Sequence, residues 1–141
     1  MIVLVEDNRT DEELALRALK KTNIVNPIIV LRDGAEALDY MFRRGKHANV
    51  PTEQIVQVVL LDLKLPKLDG LEVLAALRAD DRTKLVPVVV LTSSDEESDL
   101  VRSYGLGANS YVRKPVDFVH FAEAVRQLGL YWMLINQPPP G

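Results

Sequence analysis

Five polar side chains stand where short apolar runs give out. Glu6 and Asp7 follow Ile2–Val5, Asp62 follows Val58–Leu61, Thr92 follows Val88–Leu91, and Lys114 lies just past Ser110–Val112. Three carboxylates, one hydroxyl and one ammonium could therefore meet at a single rim. Crowded carboxylates repel one another, and a cation relieves that repulsion. An all-oxygen donor set without histidine or cysteine suits Mg²⁺, or Mn²⁺ in its place, better than a softer metal. Beside such an ion, Asp62 has three open roles: a third ligand, a nucleophile toward a phosphoryl group, or a buried helix cap. Lys114 could pair with a carboxylate or with phosphoryl oxygens. Thr92 could donate its hydroxyl to a phosphoryl oxygen. Taken alone, Glu6-Asp7 reads equally as a solvated turn and Thr92 as strand-end filler.

The elements that must position these groups are legible as an alternation. Besides the four runs above, Ile28–Leu31 is a fifth apolar, mostly β-branched segment. The first four in chain order are continuous rather than alternating, as strands buried on both faces of a parallel sheet are. Stripes of helical period lie between them: Leu14, Ala15, Ala18 and Leu19; Ala37, Leu38, Met41 and Phe42; Leu71, Leu74, Ala75 and Leu77; and finally Phe118, Phe121, Ala122, Val125 and Leu128. Leu100, Val101, Tyr104 and Leu106 give the fourth helix only a thin apolar face. Thr10-Asp11-Glu12-Glu13 and Ser94-Asp95-Glu96-Glu97 have the capping-box pattern, and Asp33, Asp69 and Asp117 are candidate N-caps. Five strand–helix alternations predict a doubly wound α/β fold with right-handed crossovers. Such sheets bind ligands outside the carboxyl ends of their strands, where the five polar groups fall.

Composition narrows the function classes. The chain has 141 residues, 48% of them hydrophobic, with 17 Lys and Arg against 20 Asp and Glu. A net charge of −3 argues against a dedicated nucleic-acid binder and against an anionic membrane surface. The absence of cysteine excludes disulfides and thiolate chemistry. No apolar run approaches the roughly 20 residues of a bilayer span, and the N-terminus carries no basic leader, so a cytoplasmic location is expected. Arg43–Gln54 reads as a polar loop, with His47 solvated in it and His120 on the outer face of the last helix. Gln137–Gly141 reads as an extended Pro-rich tail.

The strings LVEDN, LLDLKLPKLDG, VVVLTSS and YVRKP, in that order and at that spacing, resemble the receiver domain of two-component response regulators from Ile2 to about Leu128. The resemblance implies a flavodoxin-like sheet of strand order 2-1-3-4-5 with five helices. It implies Asp62 as phosphoacceptor for a sensor histidine kinase, and a Mg²⁺ site of Glu6, Asp7, Asp62 and the Lys64 backbone carbonyl. It further implies Thr92 and Tyr111 as switch residues, Lys114 as the phosphoryl-binding lysine, and a cis bond at Lys114–Pro115. From the residues alone, Tyr111 reads as a half-buried strand aromatic. Lys64 and Ser93 depart from the commoner family pattern without removing a required group.

Other readings fit less well. A haloacid-dehalogenase-type phosphatase needs a second Asp two residues after its nucleophile, where Lys64 stands. A flavodoxin-like FMN carrier needs a Gly- and hydroxyl-rich first loop, where Glu6-Asp7 would repel phosphate. An unphosphorylated pseudo-receiver would not need Glu6, Asp7, Asp62, Thr92 and Lys114 together.

Residues 1–128 are expected to form the receiver and 129–141 an apolar extension, leaving no room for an output domain. In that extension Leu130, Tyr131, Met133 and Leu134 are apolar on several faces, which predicts a homodimer interface. The ending LGLYWMLINQPPP also resembles the single-domain, cyanobacterial phytochrome-associated regulators. That implies a phytochrome-type kinase as phosphodonor.

Overall fold

The structure, a computed structural model, describes residues 1–21, 26–51, 54–92, 102–114, 119, 120 and 123. Five strands, β1 (Ile2–Val5), β2 (Ile28–Leu31), β3 (Val58–Asp62), β4 (Val88–Thr92) and β5 (Ser110–Arg113), pair in parallel in the order β2-β1-β3-β4-β5. The helices are α1 (Arg9–Lys21), α2 (Gly34–Met41) and α3 (Gly70–Ala79), with further helical residues at 102–105, 119, 120 and 123. This is the expected doubly wound sheet. No helix among the described residues is long and apolar enough to cross a membrane.

Alternation along the strands divides the core between the two faces of the sheet. Ile2, Leu4, Val58, Leu60, Val89 and Leu91 pack with Ala15, Ala18 and Leu19 of α1. Val3, Val5, Val59, Leu61, Val88 and Val90 pack with α2 and α3 on the opposite face. Full burial of each such side chain contributes about 1.5–3 kcal/mol, so the sheet is the rigid part on which the loops are mounted. β2 departs from the expectation of burial on both faces: Ile28, Ile29 and Val30 are only half-buried, because β2 is an edge strand with a neighbouring strand on one side only.

Helix starts were partly legible. Asp33 accepts from the Glu36 N–H at 2.7 Å and Asp69 from the Glu72 N–H at 2.9 Å, as side-chain caps do. The capping box at Thr10 is not used. Asn8 caps α1 instead, its Oδ1 accepting from the Asp11 N–H at 3.0 Å, and Thr10 lies inside the first turn. The box beginning at Ser94 and the cap at Asp117 lie outside the described residues.

In α3 the buried stripe is Gly70, Leu71, Val73, Leu74 and Leu77, while Ala75 is exposed. Val73 faces the core because the helix is seated through Gly70, which turns Ala75 to solvent. The loop 43–54 contains a 3₁₀ turn, Gly45–His47. His47 is not solvated as expected. Its ring packs edge-on against Tyr40 at 5.2 Å and faces Glu36 Oε1 at 3.7 Å, with 15% of the side chain exposed. His120 is exposed, as expected.

Candidate functional site

Parallel register brings the polar groups to one rim. Val5 is level with Leu61 across β1–β3, so Glu6 is level with Asp62. Asp62 is level with Leu91 across β3–β4, and Thr92 with Arg113 across β4–β5. β3 therefore ends one step beyond β1 and β4 one step beyond β3, while β5 ends level with β4 and Lys114 follows it. Carboxylate oxygens of Glu6, Asp7 and Asp62 all lie within 4.8 Å of one another. Glu6 and Asp62 are buried, while Asp7 opens to solvent. These three carboxylates fit a hard divalent cation with room left for water.

Lys114 closes the buried side of the cluster. Its Nζ donates to Asp62 Oδ2 at 2.9 Å and to Asp11 Oδ2 at 2.9 Å. It also lies 2.5 Å from Glu6 Oε1, an ion-pair contact not aligned as a hydrogen bond. Burial alone would lower the lysine pKa. The surrounding carboxylates of Glu6, Asp62 and Asp11 reverse this and hold the ammonium above its ordinary range. For Glu6, burial and then the neighbouring Asp62 outweigh the nearby ammonium and push its carboxyl up to about 7. One ammonium thus faces more carboxylates than it can neutralise, which is the imbalance a bound cation relieves.

The turn after β3 shapes the other wall. The Lys64 N–H donates to Asp62 Oδ1 at 3.2 Å, and the Lys64 side chain is exposed. Farther along the turn, the Leu68 N–H reaches Pro66 O at 2.7 Å across Lys67, whose φ of 68° is a strained left-handed value for a residue with a Cβ. Lys67 Nζ faces Asp33 Oδ2 at 3.4 Å, tying this turn to the start of α2.

Three contributors carry only weak signals in the sequence. Asp11 fits a capping pattern and nothing more. Gly34 and Gly70 each occur in an Asp-Gly-x-Glu string at a helix start, which is the signal that singles them out. A Cβ at Gly34 would lie 1.9 Å from Leu68 O, and one at Gly70 would lie 2.2 Å from Asp62 O. The start of α3 presses on the backbone of the phosphoacceptor candidate itself, and the start of α2 on Leu68 in the turn that follows it. The Gly70 N–H also donates to Leu63 O at 2.8 Å.

β4 ends on Thr92, and half-buried Tyr111 of β5 packs against the α2–α3 side of the core. The candidate cis bond at Pro115 and the interface residues Leu130, Tyr131, Met133 and Leu134 lie outside the described residues.

Residues 2–126 match the family model described as the response regulator receiver domain. Among curated proteins, the chain is 38% identical over 133 residues to response regulator Rcp1 of Synechocystis sp., covering 94% of this chain and 88% of that protein. Among solved structures, it is similar to the bacteriophytochrome response regulator RtBRR, at 52% identity and a TM-score of 0.87, covering 99% of this chain and 84% of the other. It is also similar to the Mn²⁺-bound form of Rcp1, at 37% identity and a TM-score of 0.78, covering 99% and 98% of the two chains.

Proposed function

This chain belongs to the response regulator receiver family, and from that membership we propose that Asp62 takes a phosphoryl group from the phosphohistidine of a sensor histidine kinase. The observation that carries the assignment to Asp62 is its contact with Lys114. Asp62 ends the buried β3, with an ammonium 2.9 Å from one oxygen and the carboxylates of Glu6 and Asp7 at its side.

The step is a displacement at phosphorus. An Asp62 carboxylate oxygen forms the new P–O bond as the P–N bond of the phosphohistidine breaks, and its electron pair returns to the imidazole nitrogen. Glu6, Asp7, Asp62 and the Lys64 carbonyl would hold Mg²⁺, or Mn²⁺ as in the Rcp1 relative. When bound, the ion neutralises the phosphoryl oxygens during transfer. Lys114 pairs with one of those oxygens, and Thr92 donates its hydroxyl to another. The new group carries about −1.5 to −2 charge. Thr92 moves toward it, the Tyr111 ring turns inward into the space vacated, and the face around β5 changes shape.

The protein acts on itself, catalysing its own phosphorylation and dephosphorylation. It works in the cytoplasm and signals through protein contacts rather than nucleic acid. A phytochrome-type kinase as donor is supported by the similarity to the bacteriophytochrome response regulator RtBRR. Residues 1–128 form the receiver, and 129–141 an extension through which Leu130, Tyr131, Met133 and Leu134 pair two copies.

Incubation with acetyl phosphate and Mg²⁺, followed by intact-mass measurement, tests the acceptor. The expected result is a gain of one phosphoryl group that needs Mg²⁺ and is lost in Asp62→Ala. An unmodified wild type at saturating donor overturns the proposal.

A further inference from the structure

The fourth carboxylate at the cluster, Asp11, has no part in the reading above. It comes from the first turn of α1 rather than from a strand end. Its Oδ2 accepts from Lys114 Nζ at 2.9 Å, a contact spanning 103 positions of sequence. Its side chain is 32% exposed, so it forms the solvent-facing side of the lysine's surroundings, while Glu6 is buried. The local structure frees it for this contact. An acidic residue at the third helical position commonly reaches back to the N–H of the cap residue. Here the Asn8 N–H is turned toward Glu6 Oε2 at 3.3 Å, and the Asp11 carboxylate points to Lys114 instead.

We propose that Asp11 is a positioning residue for phosphoryl transfer, holding the Lys114 ammonium between α1 and Asp62. The inference rests on the phosphoacceptor reading of Asp62. An ammonium has three protons, and three carboxylate oxygens surround this one. Glu6 and Asp62 both lie on its strand side. Without an acceptor on the helix side, nothing opposes their pull. The ammonium then settles deeper between Glu6 and Asp62, away from the place where an incoming phosphoryl oxygen must meet it. It also neutralises the Asp62 carboxylate more fully and weakens it as a nucleophile. A misplacement of about 1 Å at a reacting centre can cost up to about a hundredfold in rate. The three carboxylates within 4.8 Å of one another do not include Asp11, so the cation site itself is left intact by its removal.

The test compares wild type, Asp11→Ala and Asp11→Asn with acetyl phosphate as donor, following the rate of phosphorylation across a Mg²⁺ titration. Asp11→Ala is expected to lose about tenfold in rate at saturating Mg²⁺, with the half-saturating Mg²⁺ concentration within about twofold of wild type. Asp11→Asn keeps an oxygen at the same reach and is expected to recover most of the rate. A purely structural role in α1 would lower the melting temperature without this split and without rescue by asparagine. A rate for Asp11→Ala within twofold of wild type overturns the inference, as does an Asp11→Asn rate no better than that of Asp11→Ala. Should wild type itself take up no phosphoryl group, it is the reading of Asp62 that fails.

Discussion

Gly70→Ala is the smallest change by which the packing beneath Asp62 can be tested. A methyl group there would lie 2.2 Å from Asp62 O, 2.6 Å from Leu63 Cα and 3.0 Å from the Asp62 carbonyl carbon. All three are backbone atoms, so no side-chain rotation relieves the clash. Contacts of a Cβ do not fall below 3.0 Å, so α3 and the end of β3 must separate by about 0.8 Å. That separation strains the Gly70 N–H bond to Leu63 O and moves the Asp62 carboxylate relative to Lys114. Overpacking of this kind costs about 1–3 kcal/mol, against which alanine recovers up to about 1 kcal/mol of helix propensity. The net loss, about 1 kcal/mol at the centre of that range, lowers the melting temperature by roughly 3–4 °C for a chain of this size. Because the displaced group is the acceptor, phosphorylation by acetyl phosphate should fall by about a hundredfold. Gly105→Ala is the matched control, since a Cβ there meets nothing within 4 Å, and it should be neutral or slightly stabilising. A Gly70→Ala protein that melts with wild type and accepts phosphoryl at the wild-type rate would refute this role for the α3–β3 contact.

Two further outcomes are expected. Because burial holds the Glu6 carboxyl at about 7 in the metal-free fold and 4.5 is its ordinary value, the folded state binds more protons than the unfolded between those limits. Stability should therefore fall as pH rises from about 4.5 to 7, by at most roughly 3 kcal/mol from this group. Denaturant titrations at several pH values check it, and Glu6→Gln should flatten the slope. Truncation after Leu128 should convert a dimer to a monomer in sedimentation, and an unchanged association state would remove the extension from the interface.

What could be read in advance depended on the range of the interaction. The continuous apolar runs of β1, β3 and β4 announce a buried parallel sheet because a strand covered on both faces has no polar side to alternate with. Asp33 and Asp69 announce helix starts because a cap acts within three residues. By the same logic Glu6, Asp7, Asp62 and Lys114 were recognisable as a site, since the ends of parallel strands must share a rim.

What the sequence leaves open is decided by distance through space. Asp11 meets Lys114 across 103 positions, and only the docking of α1 beside β5's end makes them partners. Asn8 displaced Thr10 as the cap because the chain leaves β1 through Glu6, whose Oε2 turns the Asn8 N–H inward. Gly70 looks like a poor helix former until the backbone of Asp62 is found against it. The sequence alone determined which groups gather at the end of the sheet, because strand pattern and local capping are short-range properties. Only the tertiary structure decided how closely they approach and which carboxylate holds the lysine, because those depend on backbones packed from distant parts of the chain.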